Sequence, residues 1–139
     1  MNIYFACSIT GGREVEHVYQ ELMAALLAGG HKIPTAHLAD STVTDLEARV
    51  SAREVFERDV AWIRAAEVLI AEVSIPSHGV GYEVGLALAE GKKVLCLSLE
   101  GRKISKMITG NSHPGLRART YQDSAEAIRL AREFIKELG

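Results

Sequence analysis

The chain is poor in the residues that cross-link, chelate or span. Only two of its 139 residues are cysteines, Cys7 and Cys96, and both lie in apolar, strand-like runs. That pattern speaks against a disulfide framework and for two reduced core thiols in a cytoplasmic protein. The histidines show no HExxH spacing and the cysteines no CxxC, so no metal site and no cofactor are expected. No apolar run reaches the roughly 18 residues of a membrane helix, and no charged stretch leads into an apolar one at the N-terminus. Neither membrane insertion nor secretion is therefore expected. A net charge of −2 argues against a nucleic-acid polymer as partner, so an anionic ligand would have to be held by local groups. GxGxxG and GxxxxGK[ST] are both missing, which removes the common dinucleotide and triphosphate loops.

What is present suits one α/β domain over residues 1–139, with 47% hydrophobic and 24% charged residues. Ile3 to Cys7 reads as a strand, Ser8 to Arg13 as a glycine-containing loop, and Val15 to Leu27 as an amphipathic helix stopped by Gly29-Gly30. A short second strand is expected at His31–Thr35, then a long loop or lid over residues 36–48. Ser51-Ala-Arg-Glu54 has the form of a capping box. It opens a helix whose apolar stripe is Ala52, Val55, Phe56, Trp62, Ile63 and Ala66, with Asp59 in its middle. Val68–Val73 and Lys93–Leu97 are continuous apolar strands, and Thr120-Tyr121 ends a last one. A short helix is expected near Ile104–Ile108, and Asp123-Ser-Ala-Glu126 caps the final helix. Alternation of this kind predicts a Rossmann-like (flavodoxin-like) fold, a parallel sheet of about five strands with helices on both faces. Ligands of such sheets bind at the carboxyl ends of the strands.

The stretch from Ala71 to Ala89 carries the chemistry. Its strand breaks at Pro76, passes through Ser77, His78, Gly79, Val80 and Gly81, and enters a helical pattern led by Tyr82 and Glu83. Strand, small-residue turn and helix start together form an anion site, where the helix dipole also favours an ionised Glu83. Asp59 is the second anomaly. A carboxylate in an apolar stripe is costly unless it pairs with Arg58, Arg64 or a backbone amide, or faces a ligand cleft. Two carboxylates in distinct environments, with an aromatic hydroxyl (Tyr4) from the first strand, suit transfer at an anomeric carbon.

IYFACSITGGR at 3–13, ERDVAWIRAAEVLIAEVSIPSHGVGYEVG at 57–85 and the VLCL-to-SKMITG stretch resemble the nucleoside 2-deoxyribosyltransferase superfamily. The likeness is greatest to its 2'-deoxynucleoside 5'-monophosphate N-glycosidase branch. Pro76-Ser77-x-Gly79-x-Gly81-Tyr82-Glu83, with Asp59 upstream, is the most specific part. The resemblance implies that Glu83 attacks C1' of the sugar, that Tyr4 orients Glu83, and that Asp59 contacts the sugar and assists proton transfer to the departing base. It places Ser8 and Ser77, with the Gly79 and Gly81 amides, around the 5'-phosphate, within a loop that also includes Ile9, Thr10, Gly11 and Arg13. His37 and Met107 fall near the base. Ser105 matches a serine donated by the second subunit of a homodimer. The transferase branch usually carries an acid where Ser77 stands, and serine accommodates phosphate better. Thr10 replaces a basic residue of the pattern, a loss that Arg13 or Lys106 could offset. Base exchange between deoxynucleosides, pyrimidine ribonucleotide hydrolysis and a nucleotide sensor without turnover stand as rival readings.

Overall fold

The structure is a computed structural model that describes residues 1–9 and 12–139; Thr10 and Gly11 of the first loop lie outside the described residues. Four strands, β1 (Ile3–Ala6), β2 (Val68–Glu72), β3 (Lys93–Leu99) and β4 (Leu116–Tyr121), form one parallel sheet in the order β1-β2-β3-β4. Pairing runs Ile3 against Val68, Val68 against Lys93 and Val94 against Leu116.

The sheet has four strands where the sequence suggests about five. His31–Thr35 contributes only an isolated parallel bridge between Asn2 and Lys32. Pro34 has no N–H to continue a ladder, and by Ala36 the chain has turned into a short 3-10 segment ending at Ala39. The bridge nevertheless marks the far side of β1. The chain leaves β1 towards Lys32 and returns to β2 on the opposite side, so the carboxyl end of β1 is the point where strand order reverses, the usual position of a ligand crevice.

Strict alternation in the three apolar strands assigns the layers. Ile3, Phe5, Val68, Ile70, Leu95 and Leu97 face α1 (Glu16–Ala28) and α6 (Ser124–Leu138). Tyr4, Ala6, Leu69, Ala71, Val94 and Cys96 face α3 (Ala52–Ala65) and α4 (His78–Ala89). Tyr4 therefore emerges into the same layer as Asp59 and Glu83. The capping signals are made as read: Ser51 accepts from the Glu54 amide and Asp123 from the Glu126 amide. Residues 36–48 hold more order than a loop, since α2 (Val43–Glu47) follows the 3-10 segment. Lys106–Thr109 forms the short helix α5.

A buried carboxylate ties the strand ends together. Glu72, 1% exposed at the end of β2, accepts from the Ser74 amide at 2.6 Å, the Ser74 hydroxyl at 2.8 Å and the Tyr121 hydroxyl. Ser74 Oγ in turn accepts from the Leu99 amide at 2.7 Å. One side chain thus joins the exits of β2, β3 and β4 and sets where the Ser74–Ser77 turn begins. Burial pushes the Glu72 carboxyl up, against its hydrogen-bond donors. Tyr121→Phe removes one donor from this enclosed group. The expected result is a lower urea midpoint at unchanged slope, equivalent to about 1–3 kcal/mol; an unchanged midpoint would mean that the hydroxyl contributes nothing.

Candidate active site

Tyr4 from β1 meets Glu83 from α4, and Glu83 shares a cavity with Asp59 from α3. Tyr4, fully buried, donates its hydroxyl hydrogen bond to Glu83 Oε2. Burial, together with the neighbouring Glu83 charge, drives the Tyr4 hydroxyl far up, so it stays protonated and acts as a donor. Asp59 and Glu83 line one cavity of about 450 Å³ between α3 and α4, together with Phe56, Val60, His78 and Gly79. The apolar stripe of α3 is covered only at its far end, where Ile63 and Ala66 are buried; Phe56 stays 55% exposed. Asp59 therefore sits where the stripe opens onto a cleft rather than inside a core. Its partner is Arg58, whose Nε donates to Asp59 Oδ1 at 2.8 Å. The two sequence-level accounts of Asp59, a paired carboxylate and a cleft carboxylate, hold together.

Helix α4 starts at His78, four residues before Tyr82, with Ser77 as its cap. Ser77 Oγ accepts from the Val80 amide at 3.3 Å. Glu83 is consequently in the second turn, beyond the reach of most of the dipole field, which fades within the first turn. Burial dominates there. It and the Asp59 charge push the Glu83 carboxyl up to about 7, against the opposing pull of the Tyr4 hydroxyl and Arg58. Burial thus outweighs the helix start in setting the protonation of this carboxyl.

Gly79 separates Ser77 from Glu83. A methyl group in place of its hydrogen would lie 3.7 Å from Glu83 Oε1 and 3.9 Å from Ser77 Oγ, so these two polar groups border one small space. Ser8, at the end of β1, is fully buried, and among the described residues its Oγ has no hydrogen-bond partner. Ile9 is half-buried against the α1 side of the core. Thr10 and Gly11, both named as binding residues above, lie outside the described residues.

Other candidates are placed elsewhere or are already engaged. Arg13 is bonded to Glu16 Oε1 at 2.8 Å, to the Ser8 carbonyl at 3.2 Å and to the Asp40 carbonyl at 3.1 Å, and it lies over the Tyr19 ring. In this arrangement it braces the first loop. Gly81 faces a second, larger cleft of about 940 Å³ between α4 and residues 103–111, with Ser77, His78, Ser105 and Met107. Ser105 caps α5, accepting from the Met107 amide at 3.2 Å, and Met107 is 83% exposed. Neither lines the Asp59–Glu83 cavity. His37 Nε2 lies 2.8 Å from Glu47 Oε1, with its ring edge-on to Trp62. Among the described residues no group of His, Cys, Asp and Glu side chains could hold a metal ion, and no helix is long and apolar enough to cross a membrane.

Sequence reasoning missed Glu72 and Glu47. Glu72 had one available signal, a carboxylate in the otherwise apolar run Val68–Val73.

Residues 3–130 match the profile of the family described as Nucleoside 2-deoxyribosyltransferase. The chain belongs to that family. It is 36% identical over 121 residues to a Methanococcoides burtonii protein named putative 2'-deoxynucleoside 5'-phosphate N-hydrolase 1, covering 87% of this chain and 99% of that one. It is 36% identical over 142 residues to the Danio rerio 5-hydroxymethyl-dUMP N-hydrolase, covering 99% and 98%. Among solved structures, the Clostridium botulinum CMP N-glycosidase BcmB superposes with a TM-score of 0.70 at 19% identity, over 95% of this chain and 99% of that one. That last likeness concerns the fold.

Proposed function

We propose that this chain hydrolyses the N-glycosidic bond of 2'-deoxynucleoside 5'-monophosphates, giving free base and 2-deoxyribose 5-phosphate. The observation that carries the reading is the Tyr4 hydroxyl on Glu83, which lines one cavity together with Asp59. Relatives named as N-hydrolases of deoxynucleoside 5'-phosphates support the substrate class.

In this mechanism a Glu83 carboxylate oxygen attacks C1' as the C1'–N bond breaks and its electron pair leaves on the base nitrogen. Asp59 helps to deliver the proton the base needs. Water then attacks C1' and passes a proton to the Asp59 carboxylate, the ester bond to Glu83 breaks, and the Glu83 carboxylate returns. Tyr4 holds Glu83 on the correct side through the hydrogen bond to Oε2. Ser8 Oγ, Ser77 and the amide of Gly79 receive the 5'-phosphate, with Thr10, Gly11 and Ile9 in the same loop; Arg13 contributes by bracing that loop. His37 lies towards the base.

The reading extends to a cytoplasmic homodimer in which Ser105 and Met107 of a second copy complete the site. Their separation from the Glu83 cavity within one chain and the exposure of Met107 support this. The free, buried Cys7 and Cys96 fit a reducing compartment.

Incubation with dNMPs, NMPs and unphosphorylated deoxynucleosides, with and without an acceptor base, tests the function. Free base from dNMPs without acceptor is expected. Base exchange on unphosphorylated deoxynucleosides would indicate the transferase activity instead, and release from NMPs alone would move the substrate to ribonucleotides.

A further inference from the structure

Residues 58 and 59 are neighbours on α3, and side chains one position apart on a helix normally diverge. Here the Arg58 guanidinium folds back, and Nε reaches Asp59 Oδ1 at 2.8 Å. Two contacts on its outer side account for that posture. Arg58 Nη2 donates to Glu47 Oε1 at 2.9 Å, and the guanidinium lies over the Trp62 ring, 4.9 Å from its centroid. Glu47 is itself fixed against His37, so α2 and the 3-10 segment before it are tied to α3 through one cation. Among the described residues Arg58 provides the one hydrogen bond found on the Asp59 carboxylate.

We propose that Arg58 is a positioning residue for the reaction: it sets the orientation of Asp59 and offsets its charge beside Glu83, and Glu47 and Trp62 hold it in place for that work. This inference rests on the reading that Asp59 and Glu83 carry the chemistry.

The electrostatics around Glu83 agree with the geometry. Groups facing it are Tyr4 and, more distantly, Cys7 from β1 and its exit, Arg58 and Asp59 from α3, and His78 at the start of its own helix. Asp59 raises the Glu83 carboxyl and Arg58 lowers it. Without the guanidinium, the Asp59 charge acts unopposed, so Glu83 stays protonated to higher pH. A nucleophilic carboxylate has to be ionised, so the acid limb of kcat/KM then moves to higher pH.

The test uses Arg58→Met, Arg58→Lys, Glu47→Gln, Asp59→Asn and the Arg58→Met/Asp59→Asn pair in the full chain, with thermal melts on each. Arg58→Met is expected to lower kcat by about 30-fold with KM changed by less than about 3-fold, as for a group that acts on orientation. Its acid limb should lie at higher pH than that of the parent. Arg58→Lys keeps the charge without the planar fork; it should restore the acid limb while kcat remains depressed. Glu47→Gln should lower kcat by about 3- to 10-fold through the loosened guanidinium. In the double variant the Arg58 effect should vanish, because the residue acts through Asp59. If Arg58→Met unfolds, Arg58→Lys and Glu47→Gln decide the matter by the same readouts.

Parental kcat and an unmoved acid limb in the Arg58 variants, alongside an inactive Asp59→Asn, would overturn the inference and leave the catalytic reading intact. Fully additive losses in the double variant would likewise overturn it. Parental activity in Asp59→Asn would remove the catalytic reading of Asp59 and this inference with it.

Discussion

Glu83→Gln should abolish base release from dNMPs, a loss of at least about 10³-fold in kcat, and at alkaline pH it should make the protein more stable. Both effects have one origin. The residue is a half-buried carboxylate in the second turn of α4, held by Tyr4 and facing Asp59 across a small cavity. Burial lifts its carboxyl to about 7, above its ordinary value of 4.5. A raised value in the folded state means that protonation stabilises the fold. That stability is fully present below about 4.5 and is lost as pH rises through about 7. Glutamine cannot ionise, and its amide oxygen still accepts from Tyr4. The variant should thus gain on the order of 1–3 kcal/mol over the parent at pH 9 and nothing at pH 4, as urea denaturation at the two pH values would reveal. The same titration predicts that parental kcat/KM climbs through an acid limb near pH 7. Retained turnover in Glu83→Gln would remove the nucleophile from the account.

Ser77→Asp should cut kcat/KM for dNMPs by about 10²-fold or more while sparing turnover of an unphosphorylated deoxynucleoside. Ser77 is the cap of α4, accepting from the Val80 amide. Aspartate caps helices as well as serine does, so the helix and the placement of Glu83 survive the exchange. What changes is charge. A carboxylate close to the phosphate repels it by about 4 kcal/mol at 4 Å in a partly wet site, of which solvent and counterions remove a share. The ratio of rates on phosphorylated and unphosphorylated substrates isolates that effect from any general damage. An unchanged ratio would place the phosphate elsewhere.

The layered fold was legible because its signals are local. Ile3–Ala6, Val68–Glu72 and Lys93–Leu99 are apolar on both faces, and Ser51 and Asp123 carry caps within three residues of their partners. Asp59 also stood out locally, as a charge in an apolar stripe. The failures involve groups whose meaning depends on distant partners. Glu72 closes on Tyr121, forty-nine positions away, and Glu47 on Arg58 and His37 across a segment that reads as polar loop. Arg13 reads from sequence as a binding-loop residue able to offset the loss at Thr10, and its donors go to Glu16, Ser8 and Asp40, contacts that span up to 27 positions. Helix α4 begins earlier than the aromatic at Tyr82 suggests, because Ser77 supplies the cap and Gly79 and Gly81 are tolerated inside the helix. Glu83 still lies about one turn into the helix, and its partial burial there changes the expected pH behaviour.

The most direct measurement is mass spectrometry of the protein rapidly quenched during turnover of a dNMP, followed by mapping of the modified peptide. The account predicts a 2-deoxyribose 5-phosphate group esterified to Glu83, absent in Glu83→Gln. Rapid base release with no adduct on any residue, or an adduct at Asp59 instead, would contradict it.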